Sequence, residues 1–83
     1  MMGFLLLLDM RGPSFTQDGY PKPEPELKKI LMRLVRSLDK GTSIAQFDNQ
    51  EVLDSQRRPC GSIWVSQQRW TDDAIDALIR ELE

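Results

Sequence analysis

The chain has no histidine and a single cysteine, Cys60. Without histidine it lacks the commonest general base, the commonest zinc ligand and the side chain that titrates nearest neutral pH. A lone cysteine excludes an internal disulfide framework and suits a reducing compartment, so a cytoplasmic location is expected. Glycine-rich phosphate loops, paired-cysteine zinc motifs and nucleophile elbows are all missing. No metal and no cofactor is therefore expected, and no catalytic residue is assigned. Long apolar runs are missing too. The stretch from Met1 to Leu8 is stopped by Asp9, with no Lys or Arg before it and no small-residue cleavage site after it. It is far short of the ~20 residues that span a bilayer. It reads as a buried strand rather than a secretory signal, and no membrane association is expected.

What is present is enough apolar material for one small core. Leu, Ile, Val and Phe account for 22 of 83 residues, above the roughly 20% below which chains stay disordered. A chain of this length has room for a single domain, expected over residues 1–83, and as a monomer or homodimer.

The pattern predicts the element order β-α-β-β-α. Residues 3–10 form an unbroken apolar run ending at Arg11-Gly12-Pro13, which suggests a strand central in its sheet. Residues 11–25, with four of the five prolines, read as a stiff loop. A helix is expected over 25–40, with Pro25 at its start and Gly41 beyond its end. Its buried stripe is Leu27, Ile30, Leu31, Leu34, Val35 and Leu38, with Leu34 at the centre of the core. Ser43–Phe47 alternates like a strand that could continue through Glu51–Asp54, and Ser62–Ser66 is a second strand. The two should pair as a hairpin, with Pro59–Gly61 near the turn. Thr71 caps a last helix from residue 72, with Trp70 and Ile75 spaced as a hydrophobic staple and Ile75, Leu78, Ile79 and Leu82 as its buried stripe. The expected fold is a mixed α+β two-layer domain: a three-stranded, mostly antiparallel sheet with two helices packed on one face.

Three features bear on function. Asp9 ends an apolar strand, where a carboxylate could serve as a base, although ending a strand in water explains it as well. Cys60 follows Arg57 and Arg58, and neighbouring cations make a thiol more acidic. It has no histidine partner, and the spacing of a phosphate-binding cysteine loop is missing. The most informative feature is charge. Residues 22–40 hold six basic and three acidic side chains, whereas residues 71–83 hold one basic and five acidic. Lys29, Arg33, Arg36 and Lys40 recur at helical spacing opposite the apolar stripe, as an exposed basic ridge. Trp64 should face away from Ile63 and Val65, on the open face of the sheet.

These residues favour a small non-enzymatic interaction protein, a regulator or inhibitor that binds a protein partner through Lys29, Arg33, Arg36, Lys40 and Trp64. Such stand-alone domains are common in phages and mobile elements, an association of size rather than chemistry. The alternative is a nucleic-acid-associated factor that sets the same cations, with Arg57 and Arg58, against phosphates. A net charge of −2 and a pI near 5.1 weigh against that alternative.

Overall fold

In a computed structural model, which describes residues 2–82 apart from the side chain of Leu82, the chain is a mixed α+β domain. A three-stranded antiparallel sheet is built from β1 (Gly3–Leu8), β4 (Gln50–Leu53) and β5 (Pro59–Ser66). A second, two-stranded sheet joins β2 (Thr16–Gln17) to β3 (Tyr20–Pro21). Two helices complete the fold, α1 (Glu24–Asp39) and α2 (Asp72–Leu82).

The strand order is β1-β5-β4, so β1 lies at an edge and not at the centre as its unbroken apolar run suggested. Registers from Gly3↔Ser66 to Leu8↔Gly61 put Phe4, Leu6 and Leu8 on the same face as Ile63 and Val65. That face meets the core, made of Phe15, Ile30, Phe47, Val52, Cys60 and Ile63. Leu5 and Leu7 share the other face with Trp64 and Ser62.

Two core aromatics come from short 3-10 turns and not from a strand or an α-helix. Phe15, 1% exposed, ends a short 3-10 turn, Pro13–Phe15, inside the proline-rich loop. Phe47 ends a second one, Ile44–Phe47, where a strand was expected. The capping chemistry of Ser43-x-x-Gln46 overrides the alternation there: the Ser43 backbone N–H donates to Gln46 Oε1 at 3.0 Å. The Phe47 ring meets the edge of Phe4 at a centroid distance of 6.3 Å. Asp48 then accepts from the Val65 N–H at 2.8 Å, satisfying a donor that lies beyond the end of β4.

The β4–β5 turn is Asp54–Arg58, earlier than the expected Pro59–Gly61, which instead opens β5. A register shift makes Cys60 a bulge between Gly61, which faces Val52, and Pro59, which faces Leu53. Gly61 is there because β1 passes too close for a side chain. A Cβ at 61 would sit 2.0 Å from the Leu7 carbonyl oxygen.

Helix α2 begins as expected, the Ala74 N–H donating to Thr71 Oγ1 at 3.2 Å. The helices do not share a face. Ile30 and Leu34 of α1 pack on the Phe4/Leu6/Ile63 side, whereas Ile79 of α2 borders a cavity with Leu7, Glu51 and Ser62 on the reverse. The connection through Trp70 explains the change of side: its indole donates to the Gly3 carbonyl at 3.2 Å, and a Cβ on Gly3 would meet the ring at 2.8 Å. None of the described helices is long and apolar enough to cross a membrane.

Helix α1 turns a different side to the core from the one its stripe marked. Ile30 is 1% exposed and Leu34 is only half-buried, while Leu31, Val35 and Leu38 stand 43–48% exposed. Ile30→Ala should therefore cost about 2–5 kcal/mol in denaturant unfolding, and Leu34→Ala clearly less. Gly61→Ala should lower the melting temperature more than either, because its new methyl meets backbone rather than a side chain that can turn away.

Candidate functional site

Glu26 and Asp54 are the two buried charged residues of the described chain, and they decide where α1 sits. A carboxylate out of water needs compensating donors. Glu26 receives them from Ser55, whose Oγ and backbone N–H donate to its two oxygens at 2.7 and 2.9 Å. Asp54 accepts from Ser14 Oγ and from the N–H groups of Gln56 and Arg58, each at 2.9 Å. These bonds, led by the Arg58 backbone N–H and opposed by burial, hold its carboxyl below the usual range. The turn so fixed places Arg57 at φ 61°, and the Arg57 N–H donates to the Asp54 carbonyl at 2.9 Å. From α1, the Arg33 guanidinium donates to the Leu53 carbonyl.

With Glu26 and Arg33 tied to the β4–β5 segment, the rest of the helix surface falls into place. Taking Ile30 as the direction of the core, Lys29, Arg33, Arg36 and Lys40 lie about 60–120° to one side at 100° per residue. The basic ridge therefore flanks the core on the side of the turn, where the apolar stripe had placed it directly opposite. A groove of about 510 Å³ opens between them, with Lys28, Lys29, Arg33, Arg36 and Arg57 among its lining residues and Glu26, Asp54 and Ser55 along its base. Met32 adds an apolar patch to the wall. Five cations thus surround two carboxylates that are already engaged inside the protein, so the groove presents positive charge.

The structure brings together Lys29, Arg33, Arg36 and Arg57 of the expected site. Lys40 caps the end of α1 and does not line the groove. Arg58 turns towards Asp54, with its Nε 3.8 Å from Oδ2, beside a separate small cavity shared with Asp9 and Cys60. Trp64 lies half-buried on the central strand, opposite Leu5, on the side of the sheet that α2 borders. Lys28 and Met32 belong to neither the basic ridge nor the apolar stripe read from spacing, and only the rotation of the helix fixed by Glu26 brings them to the groove. The placement of Glu26, one turn before Ile30 on the same side, was the readable sign.

The two candidate reactive groups are both subdued. Asp9 is gripped by Arg11, whose Nε and Nη2 donate to its two oxygens at 2.9 and 2.8 Å. That pair brings the Asp9 pKa down to about 2, where a carboxylate is a weak base. Burial pushes the Cys60 thiol up, and the nearby charge of Asp54 adds to the effect. The thiolate is disfavoured, the reverse of what Arg57 and Arg58 suggested, because one guanidinium faces the groove and the other faces Asp54. Among the described residues no cluster of three or more acids or cysteines is placed to hold a metal.

Comparison with protein-family models, with characterised proteins and with solved structures finds no match. Function must therefore be argued from the groove itself.

Because the Asp54 carboxyl is more acidic folded than unfolded, it contributes stability that is complete above the ordinary carboxylate range and lost as pH falls through its lowered folded value. Asp54→Asn should lower the melting temperature at neutral pH and flatten its fall on acidification, as read from thermal melts across the acidic range. A parallel fall in variant and parent would remove Asp54 from the account.

Proposed function

We propose that this chain is a small non-enzymatic interaction protein, a regulator or inhibitor, that acts by seating an acidic segment of a protein partner in the groove between α1 and the β4–β5 turn. The observation that carries this reading is the convergence of Lys28, Lys29, Arg33, Arg36 and Arg57 around carboxylates that are internally bonded. Among the described residues none of these five cations lies within salt-bridge distance of a carboxylate. The turn is held by three bonds to Asp54, so the backbone that carries Arg57 is already placed before binding, which favours affinity. Met32 supplies an apolar contact that suits a peptide side chain better than a phosphodiester backbone.

The nucleic-acid reading draws on the same cations. It is the weaker one, because α2 carries Asp72, Asp73 and Asp76 in a chain of net charge −2, and this charge would repel an extended polyanion. A reducing, cytoplasmic setting accords with the free thiol of Cys60. Trp64 has no part in this site.

Fluorescence anisotropy with a labelled Asp/Glu/Leu peptide and a labelled DNA duplex tests the reading. Lys29→Glu with Arg36→Glu should weaken peptide binding by at least about tenfold through like-charge repulsion. Each substitution should change stability by only about ±0.5 kcal/mol, since both side chains are exposed. Arg33 is left intact because it also holds Leu53. Tighter binding to the duplex, falling linearly in log salt, would replace the protein partner with nucleic acid. Peptide binding unaffected by the double reversal would remove the groove.

A further inference from the structure

The two edges of the sheet are built differently. The β4 edge is guarded: the strand is four residues long, carries the exposed Glu51, and its Leu53 carbonyl accepts from Arg33 of α1. At β1 none of these devices is present. Its six residues, Gly3–Leu8, include no proline and no charge, and its register with β5 runs without a bulge. Among the described residues it pairs with β5 alone.

One bond shows which backbone groups of β1 face outwards. The Asp9 N–H donates to the Cys60 carbonyl at 2.6 Å, one step on from Leu8↔Gly61 in the same register. Opposed pairs of an antiparallel ladder alternate between bonded and non-bonded. Leu7, Leu5 and Gly3 therefore bond to β5 as Asp9 does, and Phe4, Leu6 and Leu8 turn their N–H and C=O groups away from it. The far side of β5 keeps the same alternation: the Val65 N–H, opposite Phe4, points away from β1 and donates to Asp48. Among the described residues no loop or side chain bonds to the outward groups of Phe4, Leu6 and Leu8. The side chains along this edge are apolar and incompletely covered. Met2, Phe4 and Met10 are 46%, 43% and 46% exposed, and Leu5, Leu6, Leu7 and Leu8 are half-buried.

We infer that β1 pairs antiparallel with β1 of a second copy, about a two-fold axis that passes through Leu6 perpendicular to the sheet. Leu6 is the middle one of the three outward-facing residues. This register sets Leu6 against Leu6, and Phe4 against Leu8 of the second copy, so every outward group is used. Each opposed pair is apolar on apolar. Leu5 meets Leu7 on the reverse face, and Met2 is brought to the end of the ladder where Met10 of the second copy lies. Asp9 falls opposite Gly3. An axis through Leu7 would set Asp9 against Leu5, and one through Leu5 would leave Met10 uncovered. A second copy fits this edge because it brings the same uncharged strand, and because each copy has one such edge. With β4 guarded, pairing consumes both open edges and closes the assembly at two.

Sedimentation equilibrium and residue-resolved amide exchange on the full chain read the result. The parent should be a dimer in which the amides of Phe4, Leu6 and Leu8 are protected along with those of Leu5 and Leu7. On dilution below the dissociation constant, exchange at Phe4, Leu6 and Leu8 should accelerate by about tenfold or more while Leu5 and Leu7 stay protected. Phe4→Lys, which puts a charge on the edge, should raise the dissociation constant by about tenfold or more. N-methylation of Leu6 in a chemically synthesised chain removes one outward donor and keeps every side chain. It should give a monomer with an unchanged circular dichroism spectrum, whatever Phe4→Lys does to folding. A parent that is monomeric at every concentration overturns the inference, as does an assembly larger than two or a dimer that survives the N-methyl group. Leu31→Glu with Val35→Glu on α1 should leave the dimer intact, and a dimer lost to that pair would move the contact to the helix and overturn the role of β1. Lys29→Glu with Arg36→Glu, which tests the groove, should also leave it intact, so the two readings fail separately.

Discussion

A buried carboxylate on a helix, bonded twice to one serine on a neighbouring turn, governs this molecule. Glu26 is 3% exposed and lies in the first turn of α1, where it would ordinarily face water and the helix dipole. Its burial is tolerable only while Ser55 supplies both donors, so the helix cannot rotate without stranding a charge. The greasiest side of α1 does not win the contest for the core for that reason. Ile30, one turn on from Glu26, takes the central place, and the leucines on the far side are left in solvent. The basic groove on one flank and the apolar flank on the other are two outcomes of the same constraint.

Much of the architecture was legible in the residues because it follows from periodicity. The bounds of α1 and α2, the Thr71 cap and the alternation through Ser62, Ile63, Trp64 and Val65 all depend on neighbours in sequence, and the structure keeps them. What periodicity does not carry is which elements lie beside one another. An apolar run such as Gly3–Leu8 reads the same whether its strand is central or at an edge that another surface covers. Phe15 and Phe47 enter the core from 3-10 turns three or four residues long, too short to show a helical repeat, and the alternation around Phe47 pointed instead to a strand. The rotation of α1 is of the same kind: hydrophobicity pointed at Leu34, and two long-range bonds from Ser55 to Glu26 overruled it.

The candidate site was half legible. The cations of α1 stand out by spacing, and Arg57 by its place in a polar loop. That they converge depends on the Asp54 turn, whose three side-chain bonds reach to residues 14, 56 and 58. The reactive-looking groups misled for a related reason. Proximity in sequence set Cys60 beside two arginines, but a bulge turned its thiol inwards, and the β-turn sent the guanidinium groups elsewhere.

The pairing of β1 with β5 also fixes the order in which the protein can be assembled. Leu8 finds Gly61, and Gly3 finds Ser66, across more than fifty intervening residues. On a ribosome β1 emerges before its neighbour in the sheet has been made, and α1 can coil while that strand still waits. The strand richest in leucine is thus the one with the longest unpaired lifetime on the way to the native state. Nascent chains of this protein would be expected to need shielding along that strand until β5 has cleared the exit tunnel.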